Sequence, residues 1–216
     1  MPTAQPPTTD AELIWQQCLF AFDEPAVDDT FTGVTRTMLD NTSWIDHIPG
    51  WLHGADLVFA ELVAKLPWRQ REVTMYQQRV LEPRLTTWWN TTMSVPEPLP
   101  VLAEARRALI AHYTRPFDSI GFNLYRDGRD SVAWHADRVP PSYPDPLVVV
   151  LSTGAPRSFL VRPKGGGTSR SWHLGRGDLL VMGGESQHTF EHCVPKVARA
   201  EGPRLSVMFR HDTQPE

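Results

Sequence analysis

From residue 119 onward, apolar residues come in short runs broken by Gly, Pro and Asp. The runs are SIGFNLY, SVAWHAD, PLVVVLST, SFLVRP, SWHLG, DLLVMGG, TFEHCV and RLSVMFR. Eight runs of this length with punctuated turns predict eight strands in a sandwich or jelly roll. The first half is patterned differently. Residues 52–66 place Leu57, Phe59, Leu62, Val63 and Leu66 at helical spacing, and Pro67 ends the run. Residues 99–114 predict a second helix, with Pro100 near its start and Pro116 beyond its end. A shorter helix is expected over 11–22. Helices lead and strands follow, with no βαβ alternation. Gly165-Gly166-Gly167 falls between two strand runs and predicts a hairpin loop.

Composition narrows the class. The chain has 216 residues, 41% hydrophobic and 21% charged, which suits one globular domain and argues against wholesale disorder. No run of roughly 18 apolar residues exists to span a bilayer. The first ten residues, MPTAQPPTTD, carry neither a basic nor an apolar signal region and read as a flexible tail. Cys18 and Cys193 are far apart and unpaired in pattern, which fits a reducing cytoplasm. The net charge of −4 argues mildly against a dedicated nucleic-acid scaffold but leaves room for a local basic groove.

Candidate chemistry begins at His135 and Asp137. Two residues apart on a predicted strand, they point to one face, so an imidazole and a carboxylate converge from one segment. A third ligand must come from elsewhere, and His192 in TFEHCVP is the best placed, with His173, His188 and His211 as rivals. Two His and one carboxylate on one face of an octahedron form the facial triad of non-haem Fe(II) oxygenases. In RLSVMFR, Arg204, Ser206, Met208 and Arg210 share one face, and Leu205, Val207 and Phe209 share the other. Two arginines opposite an apolar stripe suit a pocket for a dianion, since Arg binds carboxylates bidentately. A solvated edge strand would show the same pattern. Asn123 and Tyr125 share a face of another strand and offer an amide and a phenol to a carboxylate.

Taken in order, EPRLTTWW, FNLYRDGRDSVAWHAD, TGAPRSFLVRP, GDLLVMGGESQHTFEHCVP and PRLSVMFR resemble the AlkB family of Fe(II)/2-oxoglutarate dioxygenases, over roughly residues 67–210. The resemblance implies a fold that is mainly β with flanking helices. It is a double-stranded β-helix, or jelly roll, with an N-terminal helical and lid extension. The expected organisation is a tail at 1–10, helices and a nucleotide-recognition lid at 11–118, and the catalytic core at 119–212, all one structural domain. Carried over, His135, Asp137 and His192 bind Fe(II). Asn123, Tyr125, Arg204 and Arg210 bind the cosubstrate 2-oxoglutarate, Arg204 at the distal carboxylate and Arg210 nearer the metal-chelating end. Dioxygen completes the reactants.

The implied activity is oxidative demethylation of N-alkylated bases in nucleic acid, DNA or RNA, preferentially single-stranded, by a cytoplasmic monomer with no membrane partner. Tyr76, Trp88 and Trp89 are expected to hold a base drawn out of its stack. Adjacent strand residues face opposite ways, so the alternative is that at least one of the two tryptophans packs in the core. Arg84, within the basic segment of Arg69, Arg71 and Arg79, is expected to track phosphates, and Arg157 to reach the substrate from the strand facing the metal. Two positions depart from the family. Ser206 stands where an Asn is frequent, and Val139 stands where many DNA-repair members carry an acid four residues after the first iron-binding His. Val139 leaves open a second reading, an oxygenase of the same fold acting on a protein or small molecule.

Overall fold

The computed structural model describes residues 24–75, 78–139, 145–199 and 202–211. The helix expected over 11–22, Cys18, Tyr76 and the Pro140-Pro141 pair lie outside these ranges. The described chain opens with strands β1 (Ala26–Val27), β2 (Thr35–Met38), β3 (Ser43–Ile48) and β4 (Leu52–His53). Helix α1 (Ala55–Lys65) follows, then β5 (Glu72–Met75), β6 (Gln78–Leu81) and β7 (Leu85–Asn90). Helix α2 (Pro100–Tyr113) leads into β8 (Ser119–Tyr125), β9 (Val132–His135), β10 (Val148–Gly154), β11 (Arg157–Pro163), β12 (Arg170–Leu174) and β13 (Leu179–Gly184). A single helical turn, α3 (Ser186–Thr189), precedes β14 (Phe190–Val194) and β15 (Arg204–Arg210).

All eight strands expected after residue 119 form. They divide between a seven-stranded antiparallel sheet, ordered β2-β3-β13-β10-β15-β8-β7, and a four-stranded sheet, ordered β12-β11-β14-β9. The glycine triplet turns β11 back into β12 with all three residues at positive φ, where a side chain would be strained. Both expected helices form. The first starts later than its hydrophobic run suggests: Gly54, left-handed at φ 62, separates α1 from Leu52–His53, which pair with β1 instead. The hydrophobic pattern did not single out β2 and β3, which extend one edge of the large sheet, while β7 closes the other beside β8.

Alternation along the large sheet builds two cores. Val149 and Leu151 of β10, with Leu205, Val207 and Phe209 of β15, pack toward α1 and α2 beside Phe59, Leu62, Leu102 and Leu109. Val148, Val150 and Met208 face the other way, into a core shared with Phe159, Val161, Phe190 and Val194 of the small sheet. The jelly roll therefore has a sealed apolar back and an interior between its sheets, and the interior carries the chemistry. Among the described residues no helix is long and apolar enough to cross a membrane.

Candidate metal and cosubstrate centre

Antiparallel pairing brings the first and third metal candidates together. His135 ends β9 and lies directly opposite His192 on β14, and directly opposed residues share a face. Their rings are 4.3 Å apart. Asp137 sits two residues past His135, and one ligand atom from each of the three lies within 4.8 Å of the others. His192 Nε2 is 3.6 Å from Asp137 Oδ2. The rival histidines stand elsewhere. His173 and His188 are exposed, and His211 is held between the Pro116 carbonyl at 2.6 Å and the Leu147 N–H at 3.0 Å.

The protonation states suit a cation. His135 Nδ1 is 2.9 Å from the Ala133 carbonyl; a proton donated there leaves the Nε2 lone pair for a metal. Burial pushes His192 down to about 3, with His135 and Arg210 adding to the effect against Asp137, so its imidazole is neutral and able to ligate. Burial alone would raise Asp137. The Arg210 guanidinium, with His192 and His135, outweighs it and holds the carboxyl below the usual range. Arg210 Nη2 lies 2.5 Å from Asp137 Oδ1, while the buried Oδ2 makes no hydrogen bond among the described residues. An orphaned buried carboxylate oxygen beside the neutral His192 imidazole and the opposed His135 ring is what an Fe(II) ligand set offers.

The same interior wall carries a cation with unfilled donors. On β15, Arg204, Ser206 and Met208 pair with Tyr125, Asn123 and Gly121 of β8. Arg204 is fully buried, and its Nε donates to Ser152 Oγ at 2.8 Å. Its Nη1 and Nη2 meet no acceptor at full hydrogen-bond geometry among the described residues, although the Tyr125 hydroxyl interacts with the guanidinium. Burial lowers its pKa, a direction that Tyr125 opposes and Arg157 reinforces. A buried guanidinium with two unfilled nitrogens is costly unless an anion completes it, and a carboxylate fits that fork. Arg204 Cζ lies 5.4 Å and Arg157 Cζ 5.9 Å from the Tyr125 ring centroid. Burial raises the Tyr125 hydroxyl, which stays a protonated donor. Asn123 Oδ1 accepts from Arg84 Nε at 3.3 Å, and its Nδ2 contacts the Met208 sulfur at 3.3 Å.

The expected substrate residues separate. Trp88 and Trp89 face opposite ways on β7. Trp89 is 7% exposed, packs in the helix-side core and donates to the Val95 carbonyl at 2.9 Å. Trp88 is 53% exposed and pairs with Gly121, on the face that holds Asn123 and Met208. Arg84 is committed within the chain: besides Asn123 it meets Glu82 at 3.1 Å and the Ser131 carbonyl at 3.4 Å. Arg157 is 3% exposed and donates to the carbonyls of Asp127, Asp130 and Pro195. Two contributors carried no sequence signal: Ser152, which orients Arg204, and Gln187, which binds the Asp137 backbone.

Comparison with known proteins agrees with this geometry. The sequence profile of the 2OG-Fe(II) oxygenase superfamily matches residues 46–210. Alpha-ketoglutarate-dependent dioxygenase alkB homolog 3 of Mus musculus is 32% identical over 199 residues, covering 83% of this chain and 67% of the relative. The Homo sapiens protein of the same name is 32% identical over 231 residues, covering 94% and 79%. DNA oxidative demethylase ALKBH2 of Arabidopsis thaliana is 27% identical, covering 73% and 67%. Among solved structures, OsALKBH1 superposes with a TM-score of 0.54 at 14% identity, covering 82% of this chain and all of the other, a likeness of fold. The chain belongs to the AlkB family of Fe(II)- and 2-oxoglutarate-dependent dioxygenases.

Proposed function

We propose that this enzyme oxidatively demethylates N-alkylated bases in single-stranded nucleic acid, acting as a monomer. The observation that carries the proposal is a shared face. The exposed Trp88 lies on the same side of the large sheet as Asn123, Met208, Arg204 and Arg210, so an aromatic surface shares the wall that carries the two arginines. The likeness to a relative named DNA oxidative demethylase supports the substrate class.

In this reading His135, Asp137 and His192 would hold Fe(II), which with 2-oxoglutarate and dioxygen would supply the oxidation of the N-methyl carbon. The hydroxylated methyl group then leaves as formaldehyde. Arg204 completes its two unfilled donors with the distal carboxylate of 2-oxoglutarate, and the Tyr125 phenol donates beside it. Asn123 turns its amide N–H, now against the weak acceptor sulfur of Met208, toward a carboxylate oxygen. Arg210, paired with Asp137, lies at the metal-chelating end of 2-oxoglutarate. Trp88 stacks on the extruded base, a contact worth about 1–3 kcal/mol. A single strand lowers the cost of extrusion, because no pairing must be broken.

The test is succinate release from 2-oxoglutarate with a methylated oligonucleotide, the unmodified oligonucleotide, and none. Release stimulated by the methylated strand, with formaldehyde formed in step, is expected. Val139 favours a second reading, in which the oxygenase acts on a protein or small molecule; equal release in all three samples would favour it.

A further inference from the structure

The described part of β9 ends at His135, and its last ladder pair is His135 with His192. Asp137 lies beyond that pair, so no neighbouring strand takes its backbone N–H. A buried backbone donor left unpaired costs about as much as a lost hydrogen bond. The partner comes from another element. Gln187, on α3 and 2% exposed, accepts the Asp137 N–H on its Oε1 at 2.9 Å. The other end of the same amide, Nε2, points at the Met182 sulfur at 3.6 Å. The amide has one orientation that serves both neighbours, since turning it over would set an NH2 group against the Asp137 N–H.

The place of Gln187 in the chain gives this bond its consequence. α3 joins β13 to β14, and β14 carries His192. The Gln187 carbonyl is also bound, by Lys164 Nζ at 2.9 Å from the loop after β11. One residue therefore ties together the segment that presents Asp137, the turn that leads to His192, and the adjacent hairpin. We infer that Gln187 is a positioning residue for the metal centre: its side-chain carbonyl replaces the missing ladder partner of Asp137 and fixes the carboxylate relative to the two imidazoles. This rests on the reading that Asp137 is a metal ligand.

The experiment measures Mn(II) affinity, by electron paramagnetic resonance of free Mn(II), and amide hydrogen exchange in the metal-free protein. Gln187→Met keeps length and bulk but removes the acceptor. It is expected to weaken Mn(II) binding by on the order of 10-fold or more, the usual effect of losing a group that orients a ligand. Met182→Leu removes only the contact at the other end of the amide and is expected to leave affinity unchanged. In the wild type the Asp137 amide is expected to be protected from exchange, and in Gln187→Met to lose that protection. Mn(II) affinity of Gln187→Met within about threefold of wild type, on the scale where tenfold is 1.4 kcal/mol, overturns the inference. So does an equal loss in Met182→Leu, or an unprotected Asp137 amide in the wild type. Should Gln187→Met fail to fold, the exchange measurement on the wild type decides alone. Asp137→Ala separates the underlying reading: if it binds Mn(II) as the wild type does, Asp137 is not a ligand, and that reading fails rather than this one alone.

Discussion

Arg204 and Arg210 sit on the same strand and the same face, yet they occupy opposite situations. Arg204 is fully buried, with Nε spent on Ser152 and two nitrogens unfilled. The side chain of Arg210 is 31% exposed and already paired with the carboxylate of Asp137. A two-residue period placed both on one wall, and their surroundings then gave them different work. The sealed end keeps a fixed cation whose energetic deficit an incoming anion relieves. At the open end the cation is paired with Asp137, which in the proposed reading is a metal ligand on the side from which substrate approaches. In the proposed reading, affinity for the cosubstrate is concentrated at the closed end and the oxidation at the open one.

The largest effect is expected at the open end. His135→Ala, Asp137→Ala and His192→Ala should each abolish stoichiometric Fe(II) binding and all 2-oxoglutarate turnover, because each removes a ligand. His173→Ala and His188→Ala should retain both. Metal titration of the five variants checks this, and iron loss in His188→Ala with iron kept in His192→Ala would reverse the assignment.

At the closed end, Arg204→Ala should raise the KM for 2-oxoglutarate by on the order of 100-fold, for the loss of a charge-assisted pair worth roughly 2–3 kcal/mol. Arg204→Lys should recover only part, since an ammonium lacks the bidentate fork. Steady-state kinetics with fixed oligonucleotide measures both. An unchanged KM in the alanine variant would remove the contrast between the two ends.

Arg84 tests where the cosubstrate wall stops and the nucleic-acid surface begins. Its bonds to Asn123, Glu82 and Ser131 place it with the wall. Arg84→Gln should raise the 2-oxoglutarate KM about tenfold, from a hydrogen bond to a charged group worth about 1.5 kcal/mol. The salt dependence of oligonucleotide binding should not change. A phosphate contact predicts the reverse, an unaltered KM and a salt slope shallower by about 0.7. Binding titrations at several salt concentrations separate the two.

The sequence made much of this legible because strands repeat every two residues. The face of RLSVMFR that carries Arg204 and Arg210, and the shared face of His135 and Asp137, follow from that period alone. Opposite pairing of His135 with His192 does not, since register between distant strands depends on contacts the sequence leaves implicit. The same limit hid Gln187 and Ser152. Each acts through one hydrogen bond to a residue far along the chain, and an isolated Gln or Ser has no periodic signature. The β2 and β3 strands were missed for a related reason: their apolar positions are few and do not alternate cleanly, and docking onto β13 makes them strands. The Arg84 segment shows how little composition says about partners. A basic run suggests a phosphate track, but here one of its members is folded into the wall.

The smallest expected effect concerns the base itself and lies at the open end. Val139 is half-buried, two residues past Asp137, and has no acceptor for an exocyclic amine. Glu191, the nearest acid in sequence to His192, is held by Arg162 at 2.6 Å. A base whose amine is buried without a partner loses roughly 1–3 kcal/mol. The wild type should therefore discriminate weakly between amine-bearing lesions, 1-methyladenine and 3-methylcytosine, and keto-bearing 3-methylthymine. Val139→Asp supplies an acceptor and should shift the kcat/KM ratio toward the amine-bearing lesions by about fivefold, which corresponds to the lower end of that range at about 1 kcal/mol. Competition between single-stranded oligonucleotides carrying each lesion measures the ratio directly. A strong wild-type preference for 1-methyladenine would show that another acceptor serves the pocket. Glu82, whose Oε2 is buried without a hydrogen bond beside Arg84, would then be the first carboxylate to replace, and Glu82→Gln should abolish that preference.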